Sequence, residues 1–152
     1  MTDVLAPTIH ERGVSKTVLD LRELGRRGSD MRPIASHVRR IVQGSARHRF
    51  DTSGWRQLAE ATKARKAAQG LDPRILRATE RLYYSLTSSS GSDQVDKRQR
   101  LVLAFGTSVP YARFHQIGTG TMPARPVLDL TVPERQQVTD AVRDWVAEGR
   151  TT

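Results

Sequence analysis

The sequence contains no cysteine, few aromatic residues and no long apolar segment. The absence of cysteine excludes disulfides, thiolate zinc sites and cysteine nucleophiles together. No segment approaches the roughly 20 apolar residues that cross a bilayer, and the first residues lack the apolar run of a secretory signal. Aromatics make up 5% and hydrophobics 37% of the 152 residues. We therefore expect one small domain with a modest core, made in a cytoplasm and without a membrane partner.

Basic residues outnumber acidic ones, and the formal net charge is +9. The excess lies within residues 1–100, because residues 101–152 carry equal numbers of both signs. Such a surface attracts DNA or acidic proteins, although solvated helix faces would show the same short clusters. The basic contact face predicted from these clusters comprises Arg39, Arg40, Arg47, Arg49, Lys63, Arg65 and Lys66.

The first third of the chain shows helical periodicity. Residues 1–12 lack it and are predicted to form a flexible arm, followed by a single domain over residues 13–150. Apolar positions at helical spacing predict a first helix from about Val14 to Gly28 and a second over residues 34–49.

The middle of the chain is ambiguous. Residues 59–72 have few apolar anchors, which predicts a mobile loop or a marginal helix that becomes ordered only on assembly. Residues 82–86 alternate like a strand, but they also fit the end of a helix. A hairpin-like connection over residues 88–96 and a clear strand over residues 100–105 follow.

Helix ends are marked by capping residues. Either Ser29 or Asp30 can cap the second helix. A short helix over residues 110–117 precedes a final helix that begins with a capping box of Thr131 and Glu134. Together these elements predict an α+β fold, in which a small antiparallel sheet packs against helices, with a helical N-terminal region and a C-terminal helix.

The residues of common active sites do not come together in the sequence. The four histidines lack the spacing of a helical metal site, and no G-x-S-x-G elbow is present. Gly118-Thr119-Gly120 lacks the lysine of a phosphate-binding loop. We therefore predict a protein that is not an enzyme, without catalytic residues, cofactor, metal or small-molecule substrate.

Residues 109–128 form the most constrained segment. Gly118 allows a turn that a side chain would hinder. Pro123 and Pro126 favour an extended conformation of the residues that precede them, which prepares Arg125 for one fixed polar contact. From the residues alone, that contact is either a local carbonyl or carboxylate, or a group on another molecule.

The same segment contains a set of short motifs. Residues 111–118 read Tyr-Ala-Arg-Phe-His-Gln-Ile-Gly, and residues 123–126 read Pro-Ala-Arg-Pro. They resemble the YA-x-x-HQ-x-G and PARP signature of the phage virion morphogenesis family, tail-completion proteins similar to those of Mu-like phages. Many relatives have glycine at the position of Glu80 and phenylalanine at that of Val127. Upstream agreement, which extends the resemblance to residues 35–132, involves Phe50, Gly54, Trp55, Leu58, Thr62, Ile75, Leu76, Thr79 and Leu82.

The resemblance implies a structural subunit of a phage particle that forms a ring, expected to be sixfold, at the head-proximal end of the tail. The ring would complete the tail or join it to the head, and would contact copies of itself, tail-tube proteins, neck or connector proteins and passing DNA. We expect Arg125→Ala to leave the subunit folded but to impair its incorporation into particles. The assembly residues implied by the motifs are Trp55, Tyr111, His115, Gln116, Gly118, Pro123, Arg125 and Pro126.

A small basic DNA-binding protein is the alternative interpretation. It predicts micromolar binding of the isolated subunit to duplex DNA with a steep dependence on salt, because phosphate contacts release counterions.

Overall fold

The computed structural model of the protein describes residues 11–52 and 54–151, so residues 1–10 of the predicted arm lie outside the described residues. Its architecture is α+β, as predicted, with a helical N-terminal region, a C-terminal helix and a two-stranded antiparallel sheet. Among the described residues, no helix is both long and apolar enough to cross a membrane. In chain order the elements are α1 (Glu11–Gly28), a 3-10 turn (Arg32–Ile34), α2 (Ala35–Thr52), α3 (Glu60–Ala68), α4 (Arg81–Thr87), β1 (Gln94–Arg98), β2 (Leu103–Thr107), α5 (Ala112–Ile117) and α6 (Val132–Glu148).

The first two helices are joined by a short turn. The N-cap residue is Met31, which makes no side-chain cap hydrogen bond, so neither Ser29 nor Asp30 occupies the predicted cap position. The carboxylate of Asp30 nevertheless accepts a hydrogen bond from the backbone N–H of Arg32 at 3.0 Å. The 3-10 turn contains Pro33 and leads directly into α2. Because proline has no N–H to leave unpaired, it is well suited to such a first turn.

The sheet differs from the prediction in which segments pair. Residues 82–86 belong to helix α4, so the strand alternative for them is wrong. The partner strand is β1, which begins in the segment predicted to be a connection (residues 88–96) and extends two residues beyond it. It pairs antiparallel with β2 so that Asp96 lies opposite Phe105. The predicted strand over residues 100–105 starts too early, because Leu101 and Val102 lie at the exposed hairpin tip.

The core consists of two clusters of buried side chains. The larger joins α2, α4 and the segments on either side of α5, with Phe50, Leu82 and Val127 among its members. The smaller contains Ile34, Val38 and Trp145. The indole N–H of Trp145 donates to the backbone carbonyl oxygens of Arg27 at 3.1 Å and Asp30 at 2.8 Å, and so fixes α6 against the α1–α2 connection.

Two further predictions concern α3 and α6. Of the two alternatives for residues 59–72, the structure has a helix, in which Lys66 is the buried residue. The capping box at the start of α6 is confirmed, since the hydroxyl of Thr131 accepts from the backbone N–H of Glu134 and the Glu134 carboxylate accepts from that of Thr131. The helix ends at Gly149, whose φ is +74°.

Candidate functional site at the α5 loop

Helix α5 ends at a glycine that no other residue could replace without strain. Gly118 has φ +76° and ψ 179°, a region open essentially to glycine alone. A Cβ atom at this position would lie 2.8 Å from the backbone nitrogen of Ala124 and 2.9 Å from the carbonyl oxygen of Met122. The absence of a side chain therefore lets residues 119–125 fold back against the end of the helix.

The returning chain is held by hydrogen bonds to α5. The backbone N–H of Arg125 donates to the carbonyl oxygen of His115 at 2.6 Å. The side-chain oxygen of Gln116 accepts from the backbone N–H groups of Val127 at 3.1 Å and Leu128 at 3.2 Å, and its amide nitrogen donates to the Leu128 carbonyl at 2.9 Å. One glutamine side chain thus provides hydrogen-bond partners for backbone N–H and C=O groups that lie outside the sheet.

Arg125 is buried, with 7% of its surface exposed. Its Nη2 donates to the backbone carbonyl oxygen of Arg56 at 3.1 Å, and its Nε is buried without a hydrogen-bond partner. The acceptor is therefore a carbonyl of the same chain, but one 69 residues away along the sequence rather than a local one. Because this contact ties the α5 loop to the segment after α2, Arg125→Ala is now expected to reduce stability rather than leave the fold unaffected.

His115 is half-buried beside Arg125. Its Nδ1 is buried without a partner, and its ring forms a T-shaped pair with the Tyr111 ring, with the centroids 5.8 Å apart. Burial lowers the pKa of the His115 imidazole, and the charge of Arg125 lowers it further. Both effects favour the neutral form of the imidazole. Within the described residues, no group of three or more histidine, cysteine, aspartate or glutamate side chains is placed to hold a metal ion.

A cleft of about 870 Å³ separates the α5 loop from α3 and the segment before it. The predicted residues Tyr111, His115, Pro123 and Arg125 all line this cleft, which we call the α5–α3 cleft. Trp55 is placed elsewhere, edge-on to Phe50 with ring centroids 6.3 Å apart, where it lines a neighbouring cavity. The structure therefore brings together part of the predicted assembly set and separates Trp55 from it.

Two members of the predicted basic face are used inside the molecule, which corrects the prediction for them. Arg39 is largely buried, and it pairs with the Asp96 carboxylate at 3.0 Å and donates to the carbonyl oxygens of Ser88 and Ser89. Lys66 is 6% exposed, and its ammonium donates to two backbone carbonyls. Basic residues that repeat around a helix look alike in sequence whether they face water or the interior.

Four of the remaining basic residues also contact partners within the chain. Arg47 donates to the carbonyl oxygen of Thr87 at 3.0 Å, and Arg49 pairs with Asp129 at 3.4 Å. Lys63 pairs with Glu60, and Arg40 contacts His37. Arg65 lines the α5–α3 cleft, together with Arg56, which the sequence analysis did not select. The feature of the sequence that could have indicated Arg56 is its position directly after the Gly54-Trp55 motif.

Fold and site together define a small α+β protein in which a loop held by Gly118 and Gln116 lies beside a cleft lined by several basic residues. The model of the phage virion morphogenesis family matches residues 11–147 of the chain. The protein therefore belongs to the phage virion morphogenesis family, which confirms the resemblance and extends it beyond residues 35–132. No curated protein and no solved structure gives a significant match. Family membership gives the protein a structural or assembly role in the phage virion and associates it with the particle.

Proposed function

We propose that this chain is a tail-completion subunit that assembles with copies of itself into a closed ring at the head-proximal end of the phage tail. The ring ends the tail tube or joins it to the neck, and it acts without catalysis. The proposal rests on the family match over residues 11–147 and on the distribution of uncovered apolar side chains.

The first uncovered apolar surface lies at the α1 end of the molecule. Leu19 and Leu21 on α1 are both 62% exposed, and Leu101 and Val102 at the hairpin tip are 66% and 53% exposed. The hairpin tip lies near the α1–α2 connection, because the carbonyl oxygen of Arg100 accepts from the backbone N–H of Met31 at 2.6 Å. Large exposed apolar side chains at this end are positions that a partner could cover.

A second uncovered apolar residue lies at the other end of α6. Val132, in the first turn of that helix, is 77% exposed. The end of α1 contacts α6 through Trp145. At 1.5 Å per residue, Trp145 lies about 20 Å from Val132 along α6. Two different surfaces at opposite ends of a subunit suit head-to-tail contacts, which close into a ring when the rotation between neighbours allows. We expect six subunits, as the family resemblance implies.

The chemistry of His115 supports a role without catalysis. A histidine that acts as a general base is commonly oriented by a hydrogen-bonded carboxylate. In this protein the neighbour of His115 is the cation Arg125, and burial and that charge both lower its pKa. We therefore assign His115 to the architecture of the loop rather than to a reaction.

Electron microscopy of particles made by a phage in which this gene is disabled tests the proposal. We expect filled heads beside separate tails if the ring joins the two, or tails of irregular length if the ring ends the tube. Joined particles with tails of normal length would contradict both roles. In that case micromolar duplex binding by the isolated subunit, with a steep salt dependence, would support a DNA-binding function instead.

A further inference from the structure

The two buried arginines of the described residues differ in how their charge is compensated. Arg77, 5% exposed, pairs with Asp51 at 2.6 Å and Glu80 at 3.2 Å and lies 3.6 Å from the centroid of the Tyr83 ring. Arg125, 7% exposed, has one side-chain hydrogen bond, to the Arg56 carbonyl oxygen. A guanidinium has five N–H donors, and a buried charge is costly unless it is paired. The charge of Arg125 is therefore left without a counter-charge in the isolated subunit.

Other uncompensated cations share the α5–α3 cleft with Arg125. Arg56 and Arg65 are exposed at its edge, and Lys66 is buried in its wall, where its ammonium contacts carbonyl oxygens only. The one carboxylate in the described lining belongs to Glu60, and it pairs with Lys63 at 2.8 Å. The cleft thus offers several positive groups and no free negative one.

The lining is apolar as well as basic. Leu58, Leu76, Met122 and Pro123 line the cleft beside the cations. Apolar walls with a few placed polar or charged groups are typical of ligand-binding sites. The phosphates of duplex DNA lie on a wide, stiff rod, so they can contact Arg56 and Arg65 at the edge but cannot reach the buried Arg125. A carboxylate on a flexible side chain can.

We propose that the α5–α3 cleft binds an acidic segment of another particle protein, in which an aspartate or glutamate stands beside an apolar side chain. The carboxylate pairs with Arg125 and with the edge cations, and the apolar neighbour packs on Leu76 and Met122. Arginine suits this role because its fork can hold both carboxylate oxygens. The identification of the partner as a particle protein rests on the proposed function, whereas the chemistry of the site does not.

A second copy of this chain is a poor occupant of the cleft. Each copy has a net charge of +9, which disfavours insertion of a segment of one copy into the basic cleft of another. Many of the exposed carboxylates already have a basic partner on the same chain, as Asp20 has Lys16 and Asp140 has Arg143. Charge complementarity therefore favours a different, acidic protein over a neighbouring subunit.

Binding of a short fluorescein-labelled peptide, with leucines between its glutamates, to the full-length subunit tests the proposal by fluorescence anisotropy. Arg56→Ala combined with Arg65→Ala should weaken binding about tenfold, since each removes one partly exposed ion pair. The matched control, Arg22→Ala with Lys97→Ala, removes the same charge from exposed positions outside the cleft and should change affinity less than about twofold. A peptide with glutamine in place of glutamate should bind weakly to all variants.

Equal losses in the two double variants would overturn the proposal, because binding would then depend on net charge alone. Equal binding of the glutamine peptide would overturn it too. The subunit could instead bind duplex DNA and not the peptide. If the Arg56/Arg65 variant then loses DNA binding, the cleft is a phosphate site and the proposal is wrong.

The imidazole of His115 supplies a second measurement that needs no variant of Arg125. A carboxylate bound beside Arg125 should raise the pKa of His115, because it offsets the positive charge that lowers this pKa. Two-dimensional NMR of the His115 ring across a pH series, with and without peptide, measures the shift. An unchanged His115 pKa at saturating peptide would place the peptide elsewhere and contradict the proposal.

Failure of this proposal is distinguishable from failure of the proposed function. Separate heads and tails in the gene-disabled phage, without peptide binding by the subunit, would leave the tail role standing and remove the acidic-segment site. Peptide binding that depends on the cleft, together with normally joined particles in the gene-disabled phage, would support the acidic-segment site and contradict the tail role.

Discussion

At the scale of single residues, Gly118 is the position on which the α5 loop depends. We expect Gly118→Ala to lower the free energy of unfolding by at least about 2 kcal/mol, because the residue is held in a region that costs other residues about 1–3 kcal/mol and its Cβ would meet backbone atoms. Urea unfolding followed by circular dichroism measures the change.

The control for Gly118→Ala is Gly44→Ala. Gly44 is an exposed interior residue of α2, and a Cβ there would meet nothing within 4 Å. It should raise stability by roughly 0.5–1 kcal/mol, since alanine loses less conformational freedom than glycine in a helix. Equal losses in the two variants would show that the loop does not need its glycine.

Individual residues were predictable from the sequence where the constraint is local. The turn at Gly118 involves neighbours along the chain, so the local sequence indicated it, whereas the cap before α2 was placed at Ser29 or Asp30 and lies at Met31. The burial of Arg125 was not predictable in the same way, because its hydrogen-bond acceptor is the carbonyl of Arg56, 69 residues away. The interior position of Lys66 also depends on how α3 packs, which spacing does not show.

At the scale of elements, two segments begin with the same ionic turn. In Asp30-Met31-Arg32 and in Asp72-Pro73-Arg74, the carboxylate accepts from the backbone N–H and the guanidinium of the arginine two residues on. Side-chain hydrogen bonds from Arg32 and Arg74, reinforced by those backbone hydrogen bonds, lower the pKa of Asp30 and of Asp72 to about 2 each. Ordinary aspartate titrates near 3.9.

These lowered pKa values predict acid sensitivity. A carboxyl group whose folded pKa is lowered stabilises the fold above its unfolded pKa, and this stabilisation is lost as the pH falls through the folded pKa. We therefore expect the melting temperature to decline between about pH 4 and pH 2 through these groups. Asp72→Asn should reduce the decline, whereas Asp20→Asn, on the exposed part of α1, should not. Identical pH profiles for Asp72→Asn and the unmodified protein would contradict this assignment.

Helix α3 is an element with a single buried residue, which is a lysine. Lys66 holds the helix to the following segment by donating to the carbonyl oxygens of Asp72 at 2.7 Å and Arg74 at 2.6 Å. We expect amide hydrogen exchange in residues 60–68 of the free subunit to be faster than in α2, and Lys66→Met to accelerate it further, because two acceptors lose their partner. The control Lys63→Met removes an exposed ammonium from the same helix.

Slow exchange over residues 60–68 in the free subunit would contradict the prediction of weak anchoring. The prediction that this segment becomes more ordered on assembly requires the same measurement on intact particles. Protection that is equal in the free and incorporated subunit would contradict it.

Secondary structure was predictable where one periodicity dominates. The spacing in α2 and the capping box of α6 each favoured a single structure, and both are helices. Residues 82–86 satisfied two periodicities at once. The structure selects the helix because Leu82, Ser85 and Leu86 then lie on one buried face, as residues three and four apart do. Strand β1 was missed because Asp96, Lys97 and Arg98 are polar, and only the register with β2 gives them a strand conformation.

At the scale of the whole molecule, uncovered apolar surface predicts where neighbours bind. Leu21→Glu should leave the stability of the isolated subunit within about 0.5 kcal/mol of the original, since surface substitutions have small effects and Leu21 is 62% exposed. It should nevertheless block incorporation into particles, because the charge would be buried in the ring contact. Complementation of the gene-disabled phage, scored by infectious yield, measures this.

The control for Leu21→Glu is Gln137→Glu, which adds the same charge to an exposed position of α6. Its yield should remain normal. A normal yield from Leu21→Glu as well would show that the exposed part of α1 stays in solvent within the particle.

The role of the whole molecule was visible in the sequence through short motifs rather than through composition. The spacing of Tyr111, His115, Gln116 and Gly118 pointed to the family that the match over residues 11–147 shows. The uncovered apolar ends and the α5–α3 cleft were not predictable, because they arise only when distant segments pack and leave some side chains without cover.

The hydrogen bonds of the Gln116 side chain restrict which residue type can occupy this position. The side chain must accept from two backbone N–H groups and donate to the Leu128 carbonyl at the same time. Glutamate would accept but turn an oxygen toward that carbonyl, lysine would donate without accepting, and asparagine would fall short by one methylene. Any chain that folds this loop with the same hydrogen bonds therefore needs glutamine at this position.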